Sequence, residues 1–240
     1  MDPSPSCSGM LYIYNIYFFK KCSNRTNSEK DVVALKKTFK TMNWDVCDLS
    51  EDTLSDIRKQ ERTPKLGKSE LERITKKMKK ISKIQFPTNC QYVAFAVLTH
   101  GASDGIIHLY KEQCDLKETF LEPLFRNDSL QNKLKWLIYP GCRGACTYES
   151  FSGNHNFLNY RYYLVSYGTN EGYTTRRGKN GNVFIQDLCS VLRKQKFKHD
   201  KDDILTILNE VKQNMEIRKH KQIPENETNL ASRKVYLYNN

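Results

Sequence analysis

Hydrophobic and polar positions along this chain alternate between the period of a strand and that of a helix. Leu11–Phe19, dense in Tyr, Ile and Phe, reads as a buried first strand, because such side chains suit a pleated surface. After a polar loop over 20–27, Ser28 is a plausible N-cap, with Glu29 and Asp31 in the first turn where carboxylates oppose the helix dipole favourably. Val32, Leu35 and Phe39 then share a face of a helix reaching about Met42, and Trp44–Leu49 forms a short strand. The stretch 50–84 is mostly helical and polar, with a long loop expected around Pro64–Gly67. Within it Leu71, Ile74, Met78 and Ile81 recur at helical spacing, with Lys76, Lys77, Lys79 and Lys80 on other positions. Gln91–Thr99 is almost continuously apolar, as parallel strands covered on both faces are.

Further on, Gly105–Tyr110 suggests a small hairpin, and Asp115–Phe125 a helix with Leu116, Phe120 and Leu124 inward. Leu134–Tyr139 and Tyr162–Tyr167 read as strands, the second followed by a Gly-rich turn over 168–172. Asn182–Lys194 and Asp202–Met215 read as amphipathic helices separated by a charged turn, and Lys234–Tyr238 as a closing edge strand. Strands alternating with helices over this length predict an α/β domain built on a mostly parallel, helix-flanked sheet. Residues 1–10, with prolines and serines, read as a short disordered leader; 11–240 read as one domain.

The chain of 240 residues can bury one large core without a second domain. Its net charge of +12 raises nucleic-acid binding, but the first lysine cluster is the solvated face of an amphipathic helix, so nucleic acid is not the expected partner. The charge can equally steer acidic substrates. No apolar run approaches the roughly 20 residues of a membrane span. The first ten residues carry Asp2 and no basic residue, so no secretory signal is expected, and the reading is cytoplasmic. Reduced thiols are then expected for the eight cysteines, which show no framework spacing. Cys142 and Cys146 lack a second close Cys/His pair, so neither a metal site nor a cofactor is expected. The sequons at Asn24, Asn127 and Asn226 carry no weight without export.

The chemistry gathers at Lys133–Tyr148, KLKWLIYPGCRGACTY. A strand that breaks at Pro140-Gly141 puts Cys142 at the sheet's carboxyl edge, where open α/β sheets bind ligands. Arg143 follows at once, a setting expected to favour thiolate. Gln91–Thr99 likewise ends in His100-Gly101. A cysteine protease needs a thiol nucleophile, an acid–base group and donors for the oxyanion. Cys142, His100 and the N–H groups of Gly101 and Cys142 can supply these if the two strands are neighbours. A cysteine alone is more often a buried structural thiol, and a lone histidine a surface or core residue. What changes the balance is their joint position at strand ends, each beside a glycine. His108, His155, His199 and His220 have no such setting.

The PGCRG pentad with an upstream His-Gly pair resembles the caspase signature. Three further runs are similar to that family: Arg25–Asp31 before the first helix, Val165–Tyr173 with the arginines after it, and Gly181–Cys189. The resemblance covers roughly Leu11 to Tyr238. It implies a three-layer sandwich with a six-stranded, mostly parallel sheet, divided into a large-subunit part at about 11–150 and a small-subunit part at about 160–240. It implies Cys142 as nucleophile, His100 as acid–base group, and Gly101 as an oxyanion donor. It also implies that Arg25 and an arginine near position 177 clamp the acidic side chain before the cut. Counting forward from Gly172 gives Arg177, the favoured choice; counting back from Gly181 gives Arg176. Implied partners are protein substrates with acidic cleavage sites, a second copy or another caspase joined through the last strand, and apoptosis-inhibitor proteins.

Several positions depart from that family's pattern. Pro140 stands where a Gln is usual, Gly141 where Ala is usual, and Asn27 and Ser28 replace Gly and Thr. Between Arg143 and Gly172 the chain has no Asp, and its acids there are Glu149 and Glu171. An uncleaved chain, or cleavage at Glu149, is therefore expected in place of maturation after Asp. Two functions stand side by side: a working endopeptidase of apoptosis or related signalling, and a weakly active homologue that acts as decoy or dimer partner.

Overall fold

The computed structural model describes residues 2–59, 62, 69–144, 160–195, 198, 201–218, 222–230 and 233–238. Its core is divided into two slabs by a six-stranded sheet in the order β10-β7-β6-β3-β1-β2. The strands are β1 (Gly9–Asn15), β2 (Trp44–Asp48), β3 (Tyr92–Leu98), β6 (Leu134–Tyr139), β7 (Tyr163–Tyr167) and β10 (Glu225–Thr228). All neighbours pair in parallel except β10, which runs antiparallel to β7. The expected α/β class and mostly parallel sheet are what the chain forms.

Side chains alternate across a strand, so each central strand feeds both slabs. Tyr12, Tyr14, Phe95 and Tyr139 pack on one face with α3 (Glu70–Ile81), α4 (Leu116–Phe120) and α5 (Glu122–Phe125). Leu11, Ile13, Ala94, Ala96, Trp136 and Ile138 pack on the other with α1 (Ser28–Lys40), α6 (Val183–Gln195) and α7 (Ile204–Ile217). Trp136 is fully buried, and its indole N–H donates to Ser166 Oγ at 3.0 Å, which removes the penalty of hiding a polar group. Among the described residues no helix is long and apolar enough to cross a membrane.

The structure differs from the sequence reading at several places. β1 begins at Gly9, and the segment ahead of it is packed: Cys7 is 1% exposed, Ser8 N–H donates to the Asn43 carbonyl at 2.9 Å, and Asn89 donates to the Pro5 carbonyl at 2.8 Å. The N-cap of α1 is Asn27, held left-handed at φ 63° and making no side-chain cap bond; Ser28 is the first helical residue. The helix expected over 115–125 is two short pieces, with Pro123, which has no N–H, inside the second. The small hairpin extends past Tyr110, pairing β4 (Ile106–His108) with β5 (Gln113–Asp115). Lys234–Tyr238 is not a strand. Its Val235, Leu237 and Tyr238 are buried in the slab with α6 and α7, and Ile204 N–H donates to the Val235 carbonyl at 2.8 Å. The edge strand is instead the polar Glu225–Thr228.

Candidate active site

β3 and β6 lie side by side, with Ala96 opposite Ile138. His100 and Cys142 each stand four residues beyond that pair, so adjacent parallel strands deliver both to one carboxyl edge. The two backbones touch there: a Cβ built on Gly101 would lie 2.6 Å from the Cys142 carbonyl oxygen and inside the van der Waals envelope of the Tyr139 hydroxyl. Only glycine fits this approach. Neither Gly101 N–H nor Cys142 N–H is engaged by an acceptor among the described residues, which leaves both donors available at this corner.

The His100 ring is fixed on two sides. Phe19 packs edge-on with ring centroids 4.7 Å apart, and Nε2 lies 2.9 Å from the Ser23 carbonyl oxygen. A carbonyl only accepts, so Nε2 carries the proton and Nδ1 is the basic nitrogen. Burial, reinforced by the Arg25 and Arg177 charges and opposed by the Ser23 bond, pushes its pKa down to about 4. The imidazole is therefore neutral at pH 7, with Nδ1 unprotonated, and burial makes it a weaker base than an exposed histidine.

Cys142 Sγ accepts the Thr175 N–H at 3.4 Å and lies 3.7 Å from Thr175 Oγ1. The thiol–cation pairing expected with Arg143 does not form. Successive side chains leaving a strand point apart, and the Arg143 guanidinium lies 3.8 Å over the Tyr167 ring, paired with Glu171 and Glu225. This arginine joins three segments: the nucleophile corner, the loop at Glu171 and the edge strand β10. Its backbone is tied to the same loop, with Arg143 N–H donating to the Tyr173 carbonyl at 2.9 Å and Gly172 N–H to the Arg143 carbonyl at 2.8 Å.

Arg25 sits between β1 and α1 and is 0% exposed. Its Nη1 donates to Asn15 Oδ1 at 3.0 Å, while Nε and Nη2 are buried with no partner among the described residues. Burial and the like charge of Arg177 push its pKa down to about 9, so it remains charged at pH 7. Arg177 is half-buried in a hairpin formed by β8 (Arg177–Gly178) and β9 (Gly181–Asn182), and its Nε is likewise buried without a partner. Burial lowers its pKa, and Asp31 and Cys142 act against that shift. Arg176 is exposed, and its backbone N–H donates to the buried Gln222 side chain at 2.7 Å. The fold therefore brings Arg25 and Arg177 together and turns Arg176 outward.

The residues that latch the two arginine-bearing segments carry no obvious chemical signal in the sequence. Asp31 Oδ1 accepts Asn182 N–H at 2.8 Å and Gln186 Nε2 at 2.9 Å, and burial raises its pKa to about 6. Gly181, at φ 103°, leaves space for that carboxylate, since a Cβ there would lie 2.1 Å from Asp31 Oδ1. Asn182 then donates to the Pro140 carbonyl at 3.2 Å and caps α6 through Phe184 N–H. Asp31 lies in the run that first suggested the arginine, but Ser23 and Thr175 act through backbone groups that any residue possesses. Cys146 and Glu149 lie outside the described residues.

Comparison with known proteins agrees with this geometry. The family model for the caspase domain matches residues 8–236. Caspase-3 of Mus musculus is 28% identical over 220 residues, covering 85% of this chain and 72% of the relative. Caspase-3 of Mesocricetus auratus is 29% identical over 217 residues, covering 84% and 71%. The crystal structure of caspase-1 from Spodoptera frugiperda superposes with a TM-score of 0.75 at 21% identity, over 99% of this chain and 92% of that one, a likeness of fold. With a mostly parallel six-stranded sheet that sets a histidine and a cysteine at one edge, and a family match spanning nearly its whole length, this chain belongs to the caspase family.

Proposed function

We propose that this chain is a cysteine endopeptidase that cuts after acidic residues, Asp or Glu, in apoptosis or related signalling. The observation that carries the reading is Arg25: a fully buried guanidinium with two nitrogens unpartnered among the described residues, beside the similarly unpartnered Nε of Arg177. An uncompensated buried cation is costly unless an anion completes it. A carboxylate reaching between Arg25 and Arg177 would accept from both in a planar, charge-assisted arrangement. Asp31 supplies one fixed negative charge nearby, so the group of three keeps a net positive charge while that carboxylate is ionised.

With the acidic side chain held there, the scissile carbonyl lies toward Cys142. His100 Nδ1 takes the thiol proton as sulfur bonds to the carbonyl carbon, and the Gly101 and Cys142 N–H groups receive the oxyanion. Collapse breaks the C–N bond, and His100 returns the proton to the leaving amine. Water then attacks the thioester with His100 as base, releasing the acid and the thiol. On this reading Arg143 has no part in ionising the thiol. A peptide electrophile ending in Asp should add its mass to Cys142, and a matched one ending in Ala should not. Equal labelling by both would remove the assignment of Arg25 and Arg177.

One contact favours the second reading, a weakly active partner or decoy. Thr175 N–H donates to the nucleophile's sulfur, which engages a lone pair that attack on a carbonyl needs. Protein partners on either reading meet the chain at two places: substrates at the Cys142 edge, and a second copy or another caspase along β10, one of the two edge strands of the sheet and the one tied through Arg143 to the nucleophile corner.

A further inference from the structure

At the opposite, amino edge of the sheet is a cavity of about 650 Å³ that the protease reading does not use. It opens beside the first residues of β3 and β6, Tyr92 and Leu134, and is closed by the segment 233–238. Its volume is in the range of small-molecule sites. Lys201, Arg233 and Lys234 line it, and none of its lining residues is Asp or Glu. Neither Arg233 nor Lys234 has a carboxylate within ion-pair distance among the described residues, although the molecule pairs many of its other surface cations. The Arg233 guanidinium is already oriented: it lies 4.5 Å over the Tyr162 ring, and one nitrogen donates to the Asn132 carbonyl at 3.4 Å. The remaining N–H groups of that fork have no acceptor among the described residues. Tyr236, also in the lining, is 43% exposed and stacks on no ring among the described residues.

We propose that this cavity binds a nucleoside polyphosphate, with Arg233 and Lys234 on the phosphates and the Tyr236 ring against the base. A stacked guanidinium forks onto phosphate oxygens with little loss of freedom, and an exposed tyrosine offers a planar apolar face. Its volume of about 650 Å³ suits a mononucleotide, and a duplex is the competing ligand in the test. Because Val235 and Leu237 on the same segment are buried against α6 and α7, occupancy would also tighten the closing segment onto the core.

The test is independent of proteolysis. Titration calorimetry on the full chain carrying Cys142→Ala would compare ATP with tripolyphosphate and with adenosine. ATP should bind saturably, with tripolyphosphate weaker and adenosine weaker still. Arg233→Glu with Lys234→Glu should lower ATP affinity at least about tenfold, the scale of one charge-assisted hydrogen bond, with an unchanged thermal melt. Tyr236→Ala should weaken ATP but not tripolyphosphate. No saturable ATP binding up to about 1 mM would overturn the proposal, as would affinity unchanged by the charge reversal. Tighter binding of a DNA duplex than of ATP, or a Tyr236→Ala variant that binds ATP as well as the parent, would overturn it too.

Discussion

The Tyr139 phenol occupies the space that a side chain at position 141 would need: a Cβ built on Gly141 would lie 2.1 Å from its hydroxyl oxygen and 2.2 Å from Cζ. Read alone, a glycine before the nucleophile where relatives usually carry alanine suggests a loosened backbone. Beside Tyr139 it is the partner of a large ring wedged beneath the corner that carries Cys142. Gly141→Ala should therefore overpack the site and destabilise the chain by about 1–3 kcal/mol. Tyr139→Phe should not relieve it, because Cζ is itself in the way; Tyr139→Ile should. Urea unfolding of the four chains of the Tyr139→Ile, Gly141→Ala cycle would check this. The predicted outcome is a coupling of about 1–3 kcal/mol that restores stability in the double variant, and simple additivity would contradict it.

Arg25 predicts an unusual separation of stability from activity. Its buried charge makes one short side-chain bond, to Asn15, and leaves two nitrogens unpartnered among the described residues, so it contributes little to the fold for its size. Arg25→Ala should lower kcat/KM for acidic substrates by about a hundredfold or more, as truncation of a buried charge pair does. Its melting temperature should change far less, because the variant also loses a buried charge that Asp31 offsets only in part. Parallel losses of folding and turnover, measured on one preparation, would contradict the assignment.

His100 fixes the sign of a pH effect. Its pKa is about 4 in the folded chain against an ordinary 6.5, so between those values the unfolded chain binds a proton that the folded chain refuses. Stability from this residue is present in full above pH 6.5 and is lost as pH falls toward about 4. Asp31 acts oppositely: raised from 3.8 to about 6, it binds its proton sooner when folded, so its effect on stability becomes more favourable as pH falls through that window. Comparing the chain with His100→Asn separates the two. Between about pH 7 and pH 4.5 the parent should lose roughly 1–3 kcal/mol more than the variant. Identical pH dependence in urea unfolding would show that burial does not act on this imidazole as described.

How far the sequence could be read follows from which signals are carried by side chains. Leu134–Tyr139 was legible to the residue because a continuous apolar run bounded by Pro140-Gly141 has few alternatives. The cysteine and the histidine were legible because each follows such a run. The edge strand was not: Glu225–Thr228 pairs with β7 through its backbone, and its glutamates serve Arg143 and Lys117, so nothing apolar marks it. Val235 and Leu237 instead imitated a strand by alternation while packing as an irregular segment. Arg143 misled for a related reason, since adjacency in sequence does not fix side-chain direction. The Ser23 carbonyl and the Thr175 N–H are beyond any reading of residue types.

Arg143 should act as a structural tie and not as an activator of the thiol. Its ring stacking on Tyr167 and its pairs with Glu171 and Glu225 hold the loop and β10 to the nucleophile corner, but both carboxylates are about half exposed, 48% and 47%. Arg143→Ala should therefore cost only about 1–2 kcal/mol. Most of that difference should shrink at high salt, which screens exposed pairs. A salt-independent loss would point to packing on Tyr167 as the whole contribution.

The most direct test of the central claim is cleavage of matched fluorogenic peptides ending in Asp, Glu or Ala by the purified chain and by Cys142→Ala. High citrate should be included because it favours association through surface exclusion. The expected result is turnover after Asp or Glu, none after Ala, and complete loss in the variant. A folded chain that cuts none of them, or that cuts the Ala peptide equally well, would contradict it.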